Sequence, residues 1–408
     1  MTITRRDFLS KGALLVVAGV TAPSFIARTA LALQNNTPNN QKILVAVQLT
    51  GGNDGLNTLI PFGDPGYFQA RSSLAIQTSD ILPLTDTIGL HPRMAGLKQL
   101  YDNGLVAVVQ GVGYPNPNRS HFRSMDIWHS ARPDTFERTG WLGRYLDTCQ
   151  CGQDRPLPAI SAGDTLNSIF YTEHTLVPAV ANIGAFSVHT QKTSTRSMDT
   201  LKNIYNQAGY WSTHEALIRK TTLGALDGSA QLQRAAAAYK TPVEYPTNSP
   251  IAEQLRMVAQ IIAGDLGTRV FSVQLGGFDT HAAQSNQQAN LLGQLSDALT
   301  AFVSDLEAMG KQDDVLIMTF SEFGRRVAQN GSNGTDHGTA EPMFVIGRGV
   351  QAGLHGTYPS LQDLDDNGDL KFSTDFRQVF ASVLQDHLSV DPAPVLTGDY
   401  GRLPLMHA

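Results

Sequence analysis

Several short stretches of this chain place carboxylates, imidazoles, a hydroxyl and guanidinium groups directly after or before apolar runs of strand length. Residues 313–346 show the pattern most fully. The run 315–320 is apolar but for Thr319, as suits a strand buried on both faces. It ends in Ser321, Glu322 and Arg325, and a Gly- and Asn-rich loop leads to Thr335-Asp336-His337-Gly338 before a second apolar run at 343–346. In an open parallel sheet, ligands gather beyond the carboxyl ends of the strands. A carboxylate past one strand and an Asp-His pair before the next are the groups a metal or phosphate site needs.

Three other stretches have the same form. The apolar run 43–49 is followed by Thr50-Gly51-Gly52-Asn53-Asp54-Gly55-Leu56-Asn57. Its glycines allow a close backbone approach, and Asn53 and Asp54 offer oxygen ligands; Asn-Asp-Gly is also an ordinary turn. The run 105–109 precedes a rigid, turn-rich segment, 111–122, and a helix reaching about residue 131. Ser120 stands at that helix start, where free N–H groups and the dipole favour an anion and ease formation of an alkoxide. Serine is equally a common N-cap, but Arg119 and His121 on either side add weight to chemistry. The strand 270–275 is followed by Gly276-Gly277-Phe278-Asp279-Thr280-His281. Asp279 and His281, two apart on a loop, can turn to one divalent cation; the plain alternative is a capping Asp beside a surface His.

The elements that must position these groups are legible around them. Helices are expected at 91–103, with Pro92 in the first turn and Gly104 beyond the end, and at 251–264. A long amphipathic helix, 290–309, turns Leu291, Leu295, Leu299, Phe302 and Leu306 to one side. It carries the chain from strand 270–275 to strand 315–320, a strand–helix–strand unit expected to be parallel and right-handed. A final helix at 373–388 is capped by Asp375. Residues 133–250 are less regular and read as an insertion that covers or shapes the site. Asp363-x-Asp365-x-Asn367-Gly368 opens like a calcium loop, but its twelfth position is Thr374 and no helix pair flanks it, so it reads as an acidic turn.

The chain begins with an export address. Thr4-Arg5-Arg6-Asp7-Phe8-Leu9 is a twin-arginine pattern, 13–20 is apolar, and Ala30-Leu31-Ala32 suits cleavage. The apolar run falls short of the roughly 20 residues a membrane span requires. The expectation is therefore passage through the twin-arginine machinery to the periplasm, cell surface or exterior, with no stable membrane span after cleavage. Residues 33–41 form a polar linker. Removing residues 1–32 from the 408 leaves 376, enough for one large α/β domain with insertions. The full chain carries −6; losing Arg5, Arg6, Lys11, Arg28 and Asp7 makes it −9, and no basic stripe points to nucleic acid. Cys149 and Cys151 can pair in an oxidising compartment, though so tight a ring is strained. They read as incidental to the chemistry.

Taken in order, the twin-arginine start, QLTGGNDGLN, NRSHF, GGFDTH, SEFGR and TDHGTAEP resemble the exported bacterial family called domain of unknown function 1501. That family is placed with the alkaline phosphatase and sulfatase superfamily. The resemblance covers essentially the whole chain after the leader. It implies a three-layer α/β/α sandwich around a mostly parallel sheet, with divalent metal at the strand ends and an inserted cap-like region. By that resemblance Asp54 is the first-strand metal carboxylate, Ser120 the nucleophile, and Asp279 and His281 ligands of a second metal. The last segment reads two ways. Following the strand, Glu322 takes the place of the usual Asp, Phe323 that of its His, and His337 is the later metal histidine. Following the letters, Asp336 and His337 are themselves the pair. The strand-based alignment is preferred because geometry positions a ligand.

The leading expectation is an exported metal-dependent hydrolase of phosphate or sulfate esters, acting on a small anionic ester or a sulfated or phosphorylated glycan. Ser120 attacks, His121 stands beside it, and Arg119 or Arg325 binds the anion. Oxygen and nitrogen ligands without thiolate suit zinc, manganese, magnesium or calcium. The alternatives are a non-catalytic exported protein that binds a glycan or partner on the same fold, and a transferase or mutase using the same nucleophile.

Overall fold

The computed structural model describes residues 42–149, 157–175, 177–183, 203–204, 215, 233–234 and 237–407. Residues 1–41, which hold the expected export address, lie outside them, and no helix among the described residues is long and apolar enough to cross a membrane.

The first strand, β1 (Ile43–Thr50), is buried along nearly its whole length. Three two-residue strands, β2 (Leu59–Ile60), β3 (Leu82–Pro83) and β4 (Gly89–Leu90), form a small antiparallel sheet. The others are β5 (Val106–Gly113), β6 (Ala159–Ala162), β7 (Ala179–Val180), β8 (Val270–Gly276), β9 (Val315–Ser321), β10 (Glu341–Ile346), β11 (Gly353–His355) and β12 (Thr374–Asp375). With β1 they build one sheet in the order β11-β5-β10-β9-β1-β8-β6-β7, and β12 also pairs with β5. Every pairing is parallel except those of β10 with β5 and β9.

Successive β1 residues face opposite sides of the sheet, so its apolar run feeds two cores. Val45, Val47 and Leu49 join one core with Phe271, Val273 and the helices α1 (Ala95–Asp102), α4 (Pro250–Ala263) and α5 (Gln284–Ala308). Leu44 and Ala46 join the other with Met318, Phe320 and the helices α2 (His121–Ser130), α3 (Trp141–Thr148) and α6 (Phe376–Ser382). These are the three layers of the expected α/β/α sandwich.

Three departures from the sequence reading have physical reasons. β6 and β7 lie within the stretch taken for an insertion, yet they extend the main sheet. Four and two residues are too few to show periodicity. Helix α5 starts at Gln284 rather than 290, because its first turns bury the polar side chains of Gln284 and Gln288. The last helix stays α-helical only to Ser382 and then widens into a π turn over Val383–His387, with Asp375 capping its start as expected. Cys149 is disulfide-bonded; residue 151 lies outside the described residues.

β1, β5, β8 and β9 point the same way, and antiparallel β10 enters the sheet where they leave it. The loops bearing Asp54, Ser120, Asp279, Glu322 and Asp336 therefore meet at one edge. The first loop can lie against the others because Gly51 and Gly52 adopt φ of 118° and 81°. A Cβ on Gly51 would come within 2.4 Å of the Asp279 nitrogen, and one on Gly52 would strike the Phe323 ring.

Candidate metal centre

At this edge three imidazoles close on one carboxylate. His121, Asp279 and His337 present ligand-type atoms all within 4.8 Å of one another. His281 joins them, its Nε2 lying 3.0 Å from Asp279 Oδ1 and 2.9 Å from His337 Nε2. His337 Nε2 is itself 3.1 Å from Asp279 Oδ1, and His121 Nε2 is 3.5 Å from Oδ2.

What stands behind each ring decides what its Nε2 can do. His337 Nδ1 lies 2.8 Å from the Arg119 carbonyl oxygen, which can only accept, so Nδ1 carries the proton. His121 Nδ1 donates in the same way to Glu322 Oε1 at 2.9 Å, and His281 Nδ1 to Asp336 Oδ1 at 3.1 Å. With each Nδ1–H engaged, the three Nε2 lone pairs face inward. His281 and His337 Nε2 then oppose each other at 2.9 Å as two acceptors, a contact that needs a shared proton or a cation. Outer carboxylates and carbonyls that fix the tautomer of inward-facing histidines are the usual support of a bound metal. The residues present fit a divalent cation held by His121, His281, His337 and Asp279.

Protonation favours the same conclusion. Burial works to raise the Asp279 carboxyl, but the hydrogen bond and charge of Arg325, with the imidazoles beside it, outweigh burial and bring it to about 2. The carboxylate is thus charged across the neutral range. Burial lowers His337, against the pull of Asp279 and the Arg119 carbonyl, which favours the neutral ring a metal requires. Hydrogen bonds from Asn330 and His281 lower Asp336. Phe323 packs on the rings of His121 and His337 at centroid distances of 5.0 and 4.6 Å, limiting their rotation.

The remaining candidates sit around this cluster in distinct positions. Glu322 is buried behind His121 and also accepts the Gly51 N–H at 2.8 Å. Arg325 is buried, and its donors reach the carbonyls of Gly51, Gly52, Phe278 and Thr335 as well as Asp279. It ties three loops together and has no free face for an anion. Arg119 reaches Asp369 at 2.7 Å from Nε, on the turn that resembled a calcium loop. There Asp365 instead accepts the N–H groups of Asn367 and Asp369, making an ordinary turn. Ser120 is exposed at the N-cap of α2, and its hydroxyl makes no cap bond. Asp54 lies outside the cluster. It is fully buried, paired with Arg71 and hydrogen-bonded by Gln284.

Sequence reasoning named every member of the cluster but not Arg71 or Gln284, the partners of Asp54. A lone arginine in an irregular loop and a glutamine before an apolar stripe carry no recognisable signal.

The fold is an α/β/α sandwich whose strand-end rim brings together histidines and a carboxylate that could hold a metal ion. The family follows directly: residues 41–397 match the model of the protein family of unknown function DUF1501, and the chain belongs to it. No curated protein matches the sequence. Among solved structures, the chain is similar to a protein of the alkaline phosphatase superfamily from Vibrio parahaemolyticus, at 11% identity and a TM-score of 0.37 over 90% of this chain and 70% of that one. It is also similar to the PsFucS1 sulfatase from Pseudoalteromonas sp., at 12% identity and a TM-score of 0.36 over 81% and 67%. A third is the C-terminal periplasmic domain of EcEptC from Escherichia coli, at 9% identity and a TM-score of 0.38 over 88% and 87%. These likenesses are distant, and the chemistry rests on the side chains at the rim.

Proposed function

We propose that this protein is an exported hydrolase of phosphate or sulfate esters, working with one divalent cation held by His121, His281, His337 and Asp279. The observation that carries the reading is the set of three inward Nε2 atoms, each with its Nδ1–H committed to an outer acceptor. Three nitrogens and one oxygen favour zinc or manganese over magnesium and calcium, which prefer oxygen. Bound there, the cation supplies a Lewis acid for the anionic oxygens of the ester.

The chain's own groups do the rest. Ser120 offers an uncapped hydroxyl one residue from His121, where helix N–H groups favour negative charge on the attacking oxygen. Glu322, Asp336 and the Arg119 carbonyl hold the three rings in orientation. Arg325 fixes Asp279 and the surrounding loops, and Arg119 braces the Asp365 turn beside Ser120. Export to the periplasm or cell surface is supported by the twin-arginine start and by the disulfide at Cys149, a bond of oxidising compartments.

Elemental analysis of the protein, purified without chelator or affinity metal, tests the metal. One equivalent of a divalent cation, lost in Asp279→Ala, is the expected result. None in a well-folded protein overturns the proposal. Turnover of aryl phosphates and aryl sulfates then tests the chemistry, with loss in Ser120→Ala expected. A second reading, a non-catalytic glycan-binding protein, draws on the position of Asp54, whose charge already has partners in Arg71 and Gln284. Binding of a sulfated glycan that persists in Ser120→Ala, with no turnover in the parent protein, would favour it.

A further inference from the structure

On the sheet face covered by α2 and α3 lies a second group of reactive type, unconnected with the metal cluster. Ser168 Oγ is 2.6 Å from His129 Nδ1, and His129 Nε2 is 3.0 Å from Gln48 Oε1. Ser168 follows β6 and opens a short 3-10 turn, His129 lies near the end of α2, and Gln48 belongs to β1.

The direction of every hydrogen bond here follows from one backbone amide. The N–H of Ile169 can only donate, and it meets Asn167 Oδ1 at 3.0 Å. Asn167 Nδ2 therefore faces Gln48, and the Gln48 atom it meets at 3.0 Å is the carbonyl oxygen Oε1. An oxygen receives the proton of His129 Nε2, so Nδ1 keeps its lone pair and accepts the Ser168 hydroxyl proton. Burial holds His129 down to about 4, keeping the ring neutral near neutral pH. Ser168 and His129 border a cleft of about 310 Å³ whose other walls include Asp126, Arg138, Thr139 and Tyr171. Serine, oriented base and a carbonyl fixing the base's tautomer reproduce the logic of an activated nucleophile, with Gln48 where a carboxylate often stands.

We propose that Ser168 is an activated nucleophile with His129 as its base, and that this cleft is a second reactive site, for carboxylic esters of polar alcohols. Ser168 Oγ bonds to the ester carbonyl carbon as its proton passes to His129 Nδ1, and the carbonyl electron pair moves to oxygen. The pair returns, the bond to the alcohol oxygen breaks, and that oxygen leaves with the proton from His129. Water repeats the sequence on the acyl-serine, releasing the carboxylic acid and restoring Ser168. The polar walls select a polar alcohol portion, and the Tyr171 ring offers a face for a sugar.

The test is covalent labelling of the full chain with an alkyl fluorophosphonate, in which Ser168 Oγ displaces fluoride, followed by peptide mapping. The expected result is an adduct on Ser168 that forms equally fast with and without chelator, which separates it from any reaction at Ser120. The adduct disappears in Ser168→Ala, and its rate falls about 100-fold or more in His129→Gln, the size of a general-base contribution. Hydrolysis of 4-nitrophenyl acetate is lost in the same two variants. An unlabelled Ser168 in the folded parent protein overturns the proposal. So does labelling at the parent rate in a His129→Gln protein of unchanged thermal unfolding, which leaves the three residues a purely structural bridge.

Discussion

Asp54 and Asp279 both follow a Gly-rich loop at the end of a parallel strand, and the two strands are neighbours. Their environments are opposite. The Asp54 side chain is fully buried against the guanidinium of Arg71, which also reaches the carbonyls of Val327 and Arg326. The Asp279 side chain is 48% exposed, and although Arg325 touches one oxygen, three imidazoles surround it. A carboxylate sealed with a matching cation is an internal strut. A half-exposed carboxylate ringed by imidazoles has room and ligand-type atoms for a cation that the sealed one lacks. Strand-end position alone does not separate the two cases; the partner cation and the depth do.

The largest expected effect tests the buried half of this comparison. Arg71→Met leaves Asp54 as an uncompensated charge in the interior, a loss of about 3–5 kcal/mol of stability. Urea unfolding checks it. The double variant Asp54→Leu, Arg71→Met removes both charges and should recover a large part of that loss. If Arg71→Met costs no more than a surface substitution, the pair is no strut and Asp54 becomes available as a ligand after all.

A smaller effect is expected on the open half. Asp336 is half-exposed and reaches the cluster through His281, with Asn330 as its other partner, so Asp336→Asn should leave stability within ~0.5 kcal/mol. It should weaken metal binding about 10- to 100-fold, the usual worth of an outer partner. Competition with a chromogenic chelator reads the affinity directly. A parent-like affinity would remove His281 from the ligand set. The two variants together sharpen the contrast, one changing stability and the other metal affinity.

Much of this arrangement was legible in the sequence, and the rest was hidden for definable reasons. β1, β8 and β9 are rich in Val, Ile, Leu and Phe and end in glycine or polar residues, and both features carry a signal. The run 343–346 shows a strand but has no direction, so nothing revealed that β10 is antiparallel or that this brings the Asp336–His337 segment to the same rim. β6 and β7 are too short to stand out in irregular sequence. At the site, residue types singled out Asp279, His281 and His337 as candidate ligands, and His121 as a neighbour of Ser120. They did not separate the groups that face one another from those that stand behind them, because that division turns on contacts near 3 Å. Glu322 and Asp336, rivals for one ligand position in the two alignments, each contact the Nδ1 of a histidine.

The smallest expected effect concerns a carboxyl that sides with neither Asp54 nor Asp279. Glu341 opens β10 at the same rim, is buried, and accepts the Ser321 N–H at 2.6 Å. Burial pushes its carboxyl well above the ordinary value of 4.5, and the nearby Glu322 adds to the shift against the opposition of Ser321 and Asn53. With the folded value above the unfolded one, the folded protein binds more protons between them. The contribution of Glu341 to stability is therefore full below about 4.5 and declines as pH rises through the folded value. Glu341→Gln keeps an acceptor for Ser321 and removes the titration. The variant should gain on the parent in thermal midpoint as pH is raised from 5 to 8, with the smallest difference at the acid end. A difference that does not change with pH would mean that Glu341 ionises as an exposed carboxyl does. The rim would then carry, beside Asp279, a further charged carboxylate available to a cation.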